Sequence, residues 1–258
     1  MSTSPSSPDQ PLRSSPQGWF AAPPQGPPLP QGFATLAKAL SALIAVSALA
    51  ELATAAAGMR SFALLGEVGS GRAGLEDDLA TADRLATPLL LLSMLLLLAA
   101  GIVWLVWQHR LASSSRVDRR ELRRSPGWHV GSWFIPVVSL WLPYQNVADL
   151  HRGLGAFSSR EQRPPLLPWW LAWIGGSVLG WVSNVLSNRA DGLAEGGHAE
   201  DAVSLLRSSL ALDLGAALLT GLAAVLAIMV VRNLTARATR PADTPWTSPD
   251  TTVPPPPT

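Results

Sequence analysis

The chain of 258 residues has no cysteine. That single absence removes disulfides, thiolate metal sites, haem attachment and thiol nucleophiles from consideration. Charge is scarce too: 14% of residues are charged and 48% are hydrophobic, against about a quarter charged in an ordinary soluble domain. Lysine is almost missing, with Lys38 alone beside eighteen arginines. Together with the abundance of Ala, Leu and Gly, this bias points to a high-GC bacterial source. The chain has no Gly-x-Ser-x-Gly, no His-Glu-x-x-His and no phosphate-cradling glycine loop ahead of a helix, so no catalytic residues and no enzyme activity are expected. The four histidines, His109, His129, His151 and His198, show no pairing at helical spacing, which leaves no metal site or cofactor to expect. A net charge of +1 gives no footprint for nucleic acid.

What the chain has instead is apolar residues in blocks. Pro88 to Trp107 is twenty residues without a charge, enough at 1.5 Å per residue to cover about 30 Å of hydrocarbon. Three further stretches meet the same requirement: Leu36 to Gly58, Trp169 to Asn188 and Leu210 to Val231. The expectation is an all-α fold, an integral membrane bundle of four transmembrane helices. Met1 to Gly32 carries nine prolines and Pro241 to Thr258 seven, a composition that cannot bury a core. The organisation read from this is a disordered proline-rich tail over 1–32, a helical membrane domain over 33–234 and a second disordered proline-rich tail over 235–258. The first 32 residues lack a basic stretch running into an apolar one, so the first span is expected to act as an uncleaved signal.

Arginine placement orients the spans. The loop after the second span holds Arg110, Arg116, Arg119, Arg120, Arg123 and Arg124 against Asp118 and Glu121, which places it in the cytoplasm. The loop after the first span, with Glu67, Glu76, Asp77, Asp78 and Asp83, and the Asp191 to Asp201 loop then face out. This predicts a multi-pass protein of the cell membrane with both termini cytoplasmic.

The stretch from Ser125 to Tyr144 is apolar, rich in Trp and Pro, and ambiguous. If it crossed the membrane, the loop with Arg152, Arg160 and Arg163 would move outside, the acidic Asp191 to Asp201 loop inside, and the C-terminal Arg232, Arg237 and Arg240 outside, against their charge. It therefore reads as an interfacial or re-entrant helix over Trp128 to Leu142, with Val130, Trp133, Phe134, Val137, Val138, Trp141 and Leu142 on one face. Pro136 is expected to kink it, and Pro143 to kink or stop it. The following Tyr144 to Arg152 stretch reads either as a short amphipathic continuation, with Tyr144, Val147 and Leu150 toward lipid and Gln145, Asp149 and Arg152 toward water, or as a solvated connector. Trp104, Trp107, Trp128, Trp133, Trp141, Trp169, Trp170 and Trp173 all fall where this topology puts the cytoplasmic boundary, which predicts a one-sided aromatic belt.

These residues carry a resemblance. Ser125-Pro-Gly-Trp128, then Trp133-Phe-Ile-Pro-Val-Val-Ser-Leu-Trp-Leu-Pro-Tyr-Gln145, then Trp169-Trp-Leu-Ala-Trp173 is similar to the signature of an uncharacterised actinobacterial membrane family, domain of unknown function 4328. The resemblance spans Phe33 to Leu234 and departs at Ser139, where asparagine is expected. It implies architecture and no activity.

The candidate interfacial motif is therefore Trp128, Trp133, Phe134, Pro136, Trp141, Pro143, Tyr144, Trp169, Trp170 and Trp173. Glu51 and Asp213, carboxyls inside the first and fourth spans, are a candidate intramembrane polar site, because such groups are costly in hydrocarbon unless paired, protonated or wet. Gly176-x-x-x-Gly180 permits close helix approach. The expected partners are the bilayer, anionic lipid at Arg116 to Arg124, and proteins that the sequence does not identify. Two functions stay open: a non-enzymatic membrane scaffold or interaction protein, and a small transporter or channel component built on Glu51 and Asp213. A polar path between those carboxyls would favour transport; a dry Leu/Ala core would favour the scaffold.

Overall fold

The computed structural model of the protein describes residues 27, 29–67, 73–155 and 164–240. Most of both proline-rich tails lies outside these residues. Six α-helices follow in order: α1 (Gln31–Leu65), α2 (Leu75–Ala112), α3 (Trp128–Gly131), α4 (Leu142–Gly153), α5 (Leu166–Glu195) and α6 (Ala199–Thr239). Two 3-10 turns, Arg119–Glu121 and Val138–Leu140, lie between α2 and α4. Four helices, α1, α2, α5 and α6, are long and apolar enough to cross a membrane. The fold is all-helical among the described residues, as the residue pattern predicts.

Every long helix exceeds its predicted span. The 41 residues of α6 extend about 60 Å, roughly twice the hydrocarbon thickness. The excess lies mostly at the end away from the start of α1 and the end of α6, where charged stretches read as loops are helical. Their acids belong to helix starts: Glu76, Asp77 and Asp78 in the first turn of α2, Glu200 and Asp201 in that of α6. A carboxylate there complements the exposed N–H groups and the helix dipole. Pro88, predicted to open a span, sits inside α2 instead. At the other end α6 runs to Thr239, with Leu234 and Ala238 buried, so residues 235–239 belong to the helical domain rather than to the tail.

α1 packs on α2 and α6, and α6 packs on α5, giving two helical hairpins joined along α1 and α6. The α5–α6 turn is closed by Gly197 at φ 81, a left-handed conformation that glycine adopts without strain. His198 N donates to Leu193 O and Gly197 N to Ala194 O, satisfying the carbonyls left free at the end of α5. Below the turn the pair is intimate. A Cβ on Gly176 would lie 2.9 Å from Thr220 Oγ1 and 3.3 Å from Ala216 O, so the Gly176-x-x-x-Gly180 face is used inside the bundle, against α6.

The buried face of α6 is built from small apolar residues over much of its second half: Ala223, Ala227, Val230, Val231, Leu234 and Ala238 are buried, with Phe33, Ala37 and Leu40 of α1 in the same cluster; Thr235 and Arg237 are the buried polar residues near its end. The outer face of α2 is the opposite case, with Leu91, Met94, Leu95, Leu97 and Leu98 all exposed. A continuous leucine surface of this kind suits hydrocarbon rather than water.

The start of α1 and the end of α6 meet at one end of the bundle. Leu29 N donates to Ala238 O. Arg116, nearly fully buried, reaches across from the α2–α3 loop and donates through Nη2 to Arg240 O at 2.8 Å and to Arg237 O at 3.5 Å. Because a helix leaves its last carbonyls unpaired, one guanidinium both caps α6 and ties the loop to it.

Candidate functional site

That end of the bundle is closed by a cap built from the α2 terminus, the 113–155 segment and the start of α5. The segment does not form one helix over Trp128 to Leu142, which corrects the expectation from its periodicity. α3 ends at Gly131, the chain turns through Ser132 to Val137, and α4 begins at Leu142. Pro143 opens α4 rather than ending a helix, because a proline in the first turn wastes no hydrogen bond. The segment does not cross, as expected, since α2 ends and α5 begins at the same end of the bundle.

The break sorts the apolar residues two ways. Trp133 turns inward, while Phe134 is 71% exposed and Val137 66%, with Trp128, Ile135, Pro136, Leu140 and Trp141 also exposed. The inward rings form a packed cluster. Trp104 lies 5.4 Å from Trp107, 5.3 Å from Trp169 and 6.3 Å from Trp133, centroid to centroid. Trp170 stacks on Trp173 at 5.0 Å and meets Trp133 at 6.1 Å and Tyr144 at 6.5 Å. These separations are those of mutually favourable aromatic pairs.

Buried indoles need acceptors for their N–H groups. Gln108, fully buried one turn after Trp104, supplies one: its Oε1 accepts from Trp104 Nε1 at 3.0 Å and Trp133 Nε1 at 3.3 Å. Trp107 Nε1 donates to Thr235 Oγ1 and Trp170 Nε1 to Leu140 O, both at 3.1 Å. The expected belt is therefore corrected: Trp104, Trp107, Trp169 and Trp170 are core residues of the cap, and Trp128 and Trp141 keep the outward position. Gln108 escapes a reading based on hydropathy, though its spacing of four from Trp104 is the signal that could have found it.

Behind the aromatic layer lies a polar one, also missed. Asn146 Nδ2 donates to Trp128 O at 3.1 Å and Ser132 Oγ at 3.0 Å, holding α3 on α4. Asp149, expected to face water, has a side chain only 1% exposed. It pairs with Arg152 and Arg123, the latter at 3.7 Å, and accepts from Arg123 N at 3.2 Å. Val147 and Leu150, expected to face lipid, are fully buried in the core. α4 is turned this way because its inner side is fixed to the loop: Asp118 N donates to Gly153 O at 2.8 Å, and a Cβ on Gly153 would lie 2.5 Å from Val117 Cγ1.

His129 is fully buried, and neither ring nitrogen has a hydrogen-bond partner. Burial pushes its pKa from 6.5 down to about 4, with Asp149 opposing and His109 and Arg124 adding to the shift. The ring is held neutral. No group of three or more His, Asp or Glu side chains suited to a metal occurs among the described residues.

The arginine loop is mostly committed to the fold. Arg116 caps α6, Arg123 pairs with Asp149, and Arg124 donates to Gln145 Oε1 at 3.1 Å. Of the stretch expected to meet anionic lipid, Arg119 and Arg120 remain exposed, and their guanidinium groups have no partner among the described residues.

Glu51 lies on α1 and Asp213 on α6, two helices that pack on each other, and α6 packs in turn on α5, which carries Ser183. Around them Thr54 and Ser93 share a hydrogen bond at 3.1 Å, and Ser183 Oγ donates to Ser209 O at 3.0 Å. Asp213 is exposed and Glu51 half-buried. The carboxyls therefore sit on the side of the α1–α6 seam, above the apolar core.

A family model described as "Domain of unknown function (DUF4328)" matches residues 71–236. No curated protein and no solved structure matches the chain. The match takes in all of α2, the cap, α5 and nearly all of α6, while α1 with Glu51 precedes it.

Proposed function

The chain belongs to the DUF4328 family, and from that premise we propose that it is a non-enzymatic membrane scaffold whose cap, on the cytoplasmic face, is the working surface. The observation that carries this reading is the division within 128–142. Inward residues complete a packed core whose buried indole donors are satisfied, while Phe134, Ile135, Val137, Leu140 and Trp141 form an exposed apolar ridge. A ridge of that kind on a polar-rimmed cap suits burial in a leaflet or a partner rather than catalysis. The proline-rich composition of both tails supports recognition by proteins with proline-binding grooves.

The placement of Glu51 and Asp213 on two packed helices favours the second reading, a cation or proton site in a transport component. Against it stands the apolar run of Ala223, Ala227, Val230, Val231 and Leu234 buried along α6 toward the cap.

Proton flux into vesicles reconstituted with the full chain separates the two. The scaffold reading expects flux equal to empty vesicles, and unchanged growth of cells carrying Glu51→Gln with Asp213→Asn. Flux that disappears in that double variant would replace the scaffold with a transporter.

A further inference from the structure

A groove opens between α2 and α3, lined by Leu105, Val106, His109, Arg110, Gly127 and Val130. Its wall is fixed, because His109 Nδ1 lies 3.3 Å from Pro126 O and so pins the loop that carries Gly127. Its floor is apolar and its upper rim cationic. Arg110 is exposed and makes no hydrogen bond or ion pair among the described residues.

From Val106 on the groove wall, an exposed stripe of α2 runs on into the span. Leu95, Leu98, Ile102 and Val106 are all exposed, and their spacing of three and four puts them on one face of α2. From Leu95 to Val106 this stripe runs about 16 Å, close to the roughly 15 Å of one leaflet's hydrocarbon. Arg110 follows one turn later, at headgroup depth. A stripe of acyl length that ends in a free cation matches a lipid rather than a peptide or a soluble anion.

We infer that this groove holds an anionic phospholipid, its acyl chain along Leu95, Leu98, Ile102 and Val106 and its phosphate against Arg110. The inference needs the four helices to lie in a bilayer, but it does not depend on the scaffold reading. It moves the lipid contact from the Arg116 to Arg124 loop, whose arginines are largely spent inside the fold, to a residue one turn beyond the groove floor.

The test uses the full chain reconstituted in vesicles of equal phosphatidylglycerol and phosphatidylcholine, extracted in mild detergent and weighed intact by native mass spectrometry. Wild type is expected to retain phosphatidylglycerol in preference to phosphatidylcholine. Arg110→Gln should lower phosphatidylglycerol retention about fivefold, the effect of one interfacial arginine. The Arg119→Gln/Arg120→Gln double variant should leave retention unchanged, since those side chains do not line the groove. Val130→Trp, which fills the groove from α3, should reduce both lipids. An excess of inorganic phosphate should displace neither. The proposal is overturned if Arg110→Gln retains lipid like wild type, if the double variant loses as much, if both lipids are held equally, or if phosphate alone empties the site. Equal melting temperatures for Arg110→Gln and wild type confirm that loss of lipid is not loss of fold.

Discussion

Acidification should loosen the cap through one residue, His129. Its ring is fully buried without a hydrogen-bond partner, and its pKa falls from 6.5 to about 4. Above 6.5 the ring is neutral whether the cap is folded or open, so it contributes no pH dependence. Below 6.5 the open cap binds a proton that the folded cap refuses, and stability falls with pH until the folded ring is itself protonated near 4. At about 1.4 kcal/mol per pH unit, the loss between about pH 8 and pH 5 is roughly 2 kcal/mol, levelling near 3 kcal/mol below about pH 4. The groups facing the ring are Asp149 of α4, His109 of α2 and Arg124 of the loop. Asp149 limits the effect, and His109 and Arg124 enlarge it. The assay is thermal unfolding of the full chain in nanodiscs across this pH range, read through tryptophan fluorescence, which reports the ring cluster next to His129. Other carboxylates also titrate, so the measured quantity is the difference in slope between wild type and His129→Leu. The variant should be flatter between about pH 6.5 and pH 4 by the amounts above. Parallel slopes would refute the reasoning, because the buried ring would then titrate like an exposed one.

Gly176→Val should push α5 from α6, since its first side-chain carbon already lies 2.9 Å from Thr220 Oγ1; a loss of about 1–3 kcal/mol is expected in chemical unfolding, with Gly101→Val, whose Cβ meets nothing within 4 Å, as the unaffected control. Gln108→Leu should strand the Trp104 and Trp133 donors and cost about 1–3 kcal/mol for each left unpaired, visible as a change in near-ultraviolet circular dichroism; an unchanged spectrum would mean the carboxamide does not order the rings. Because the chain has no cysteine, single substitutions report topology cleanly. Ser125→Cys in the cap should be protected from a membrane-impermeant thiol reagent in intact cells and Gly196→Cys in the α5–α6 turn labelled; the reverse pattern would invert the orientation.

The four long helices are legible in the sequence because each contains a stretch of about twenty apolar residues, and the bilayer leaves such stretches few alternatives. Their full lengths are less legible. The stretches 75–87 and 199–209 carry charge, and charge was read as loop although an acidic first turn is equally a mark of a helix start. The cap was legible as a unit and misread in its interior. Periodicity placed Trp133, Phe134 and Trp141 on one face because it assumes an unbroken helix. Tertiary bonds break it, from Trp133 to Gln108, from Asn146 to Ser132 and from Trp170 to Leu140. Asp149 and Arg116 look solvated by type, and only long-range partners make their burial tolerable. Glu51 and Asp213 are legible in the sequence as carboxyls inside two spans, but the packing of α1 on α6, which puts them on neighbouring helices, is not encoded by local pattern.

The Arg116 clasp sets an order of events during synthesis. Its two acceptors belong to Arg237 and Arg240, more than a hundred residues further along, and Leu29 waits on Ala238 in the same way. While the ribosome is still making α6, the loop must hold an uncapped cation and the first helix an unanchored start. The cap can lock only after the last span is inserted. A chain truncated before residue 237 would therefore leave this end of the bundle open, a state that membrane proteases could distinguish from the finished protein.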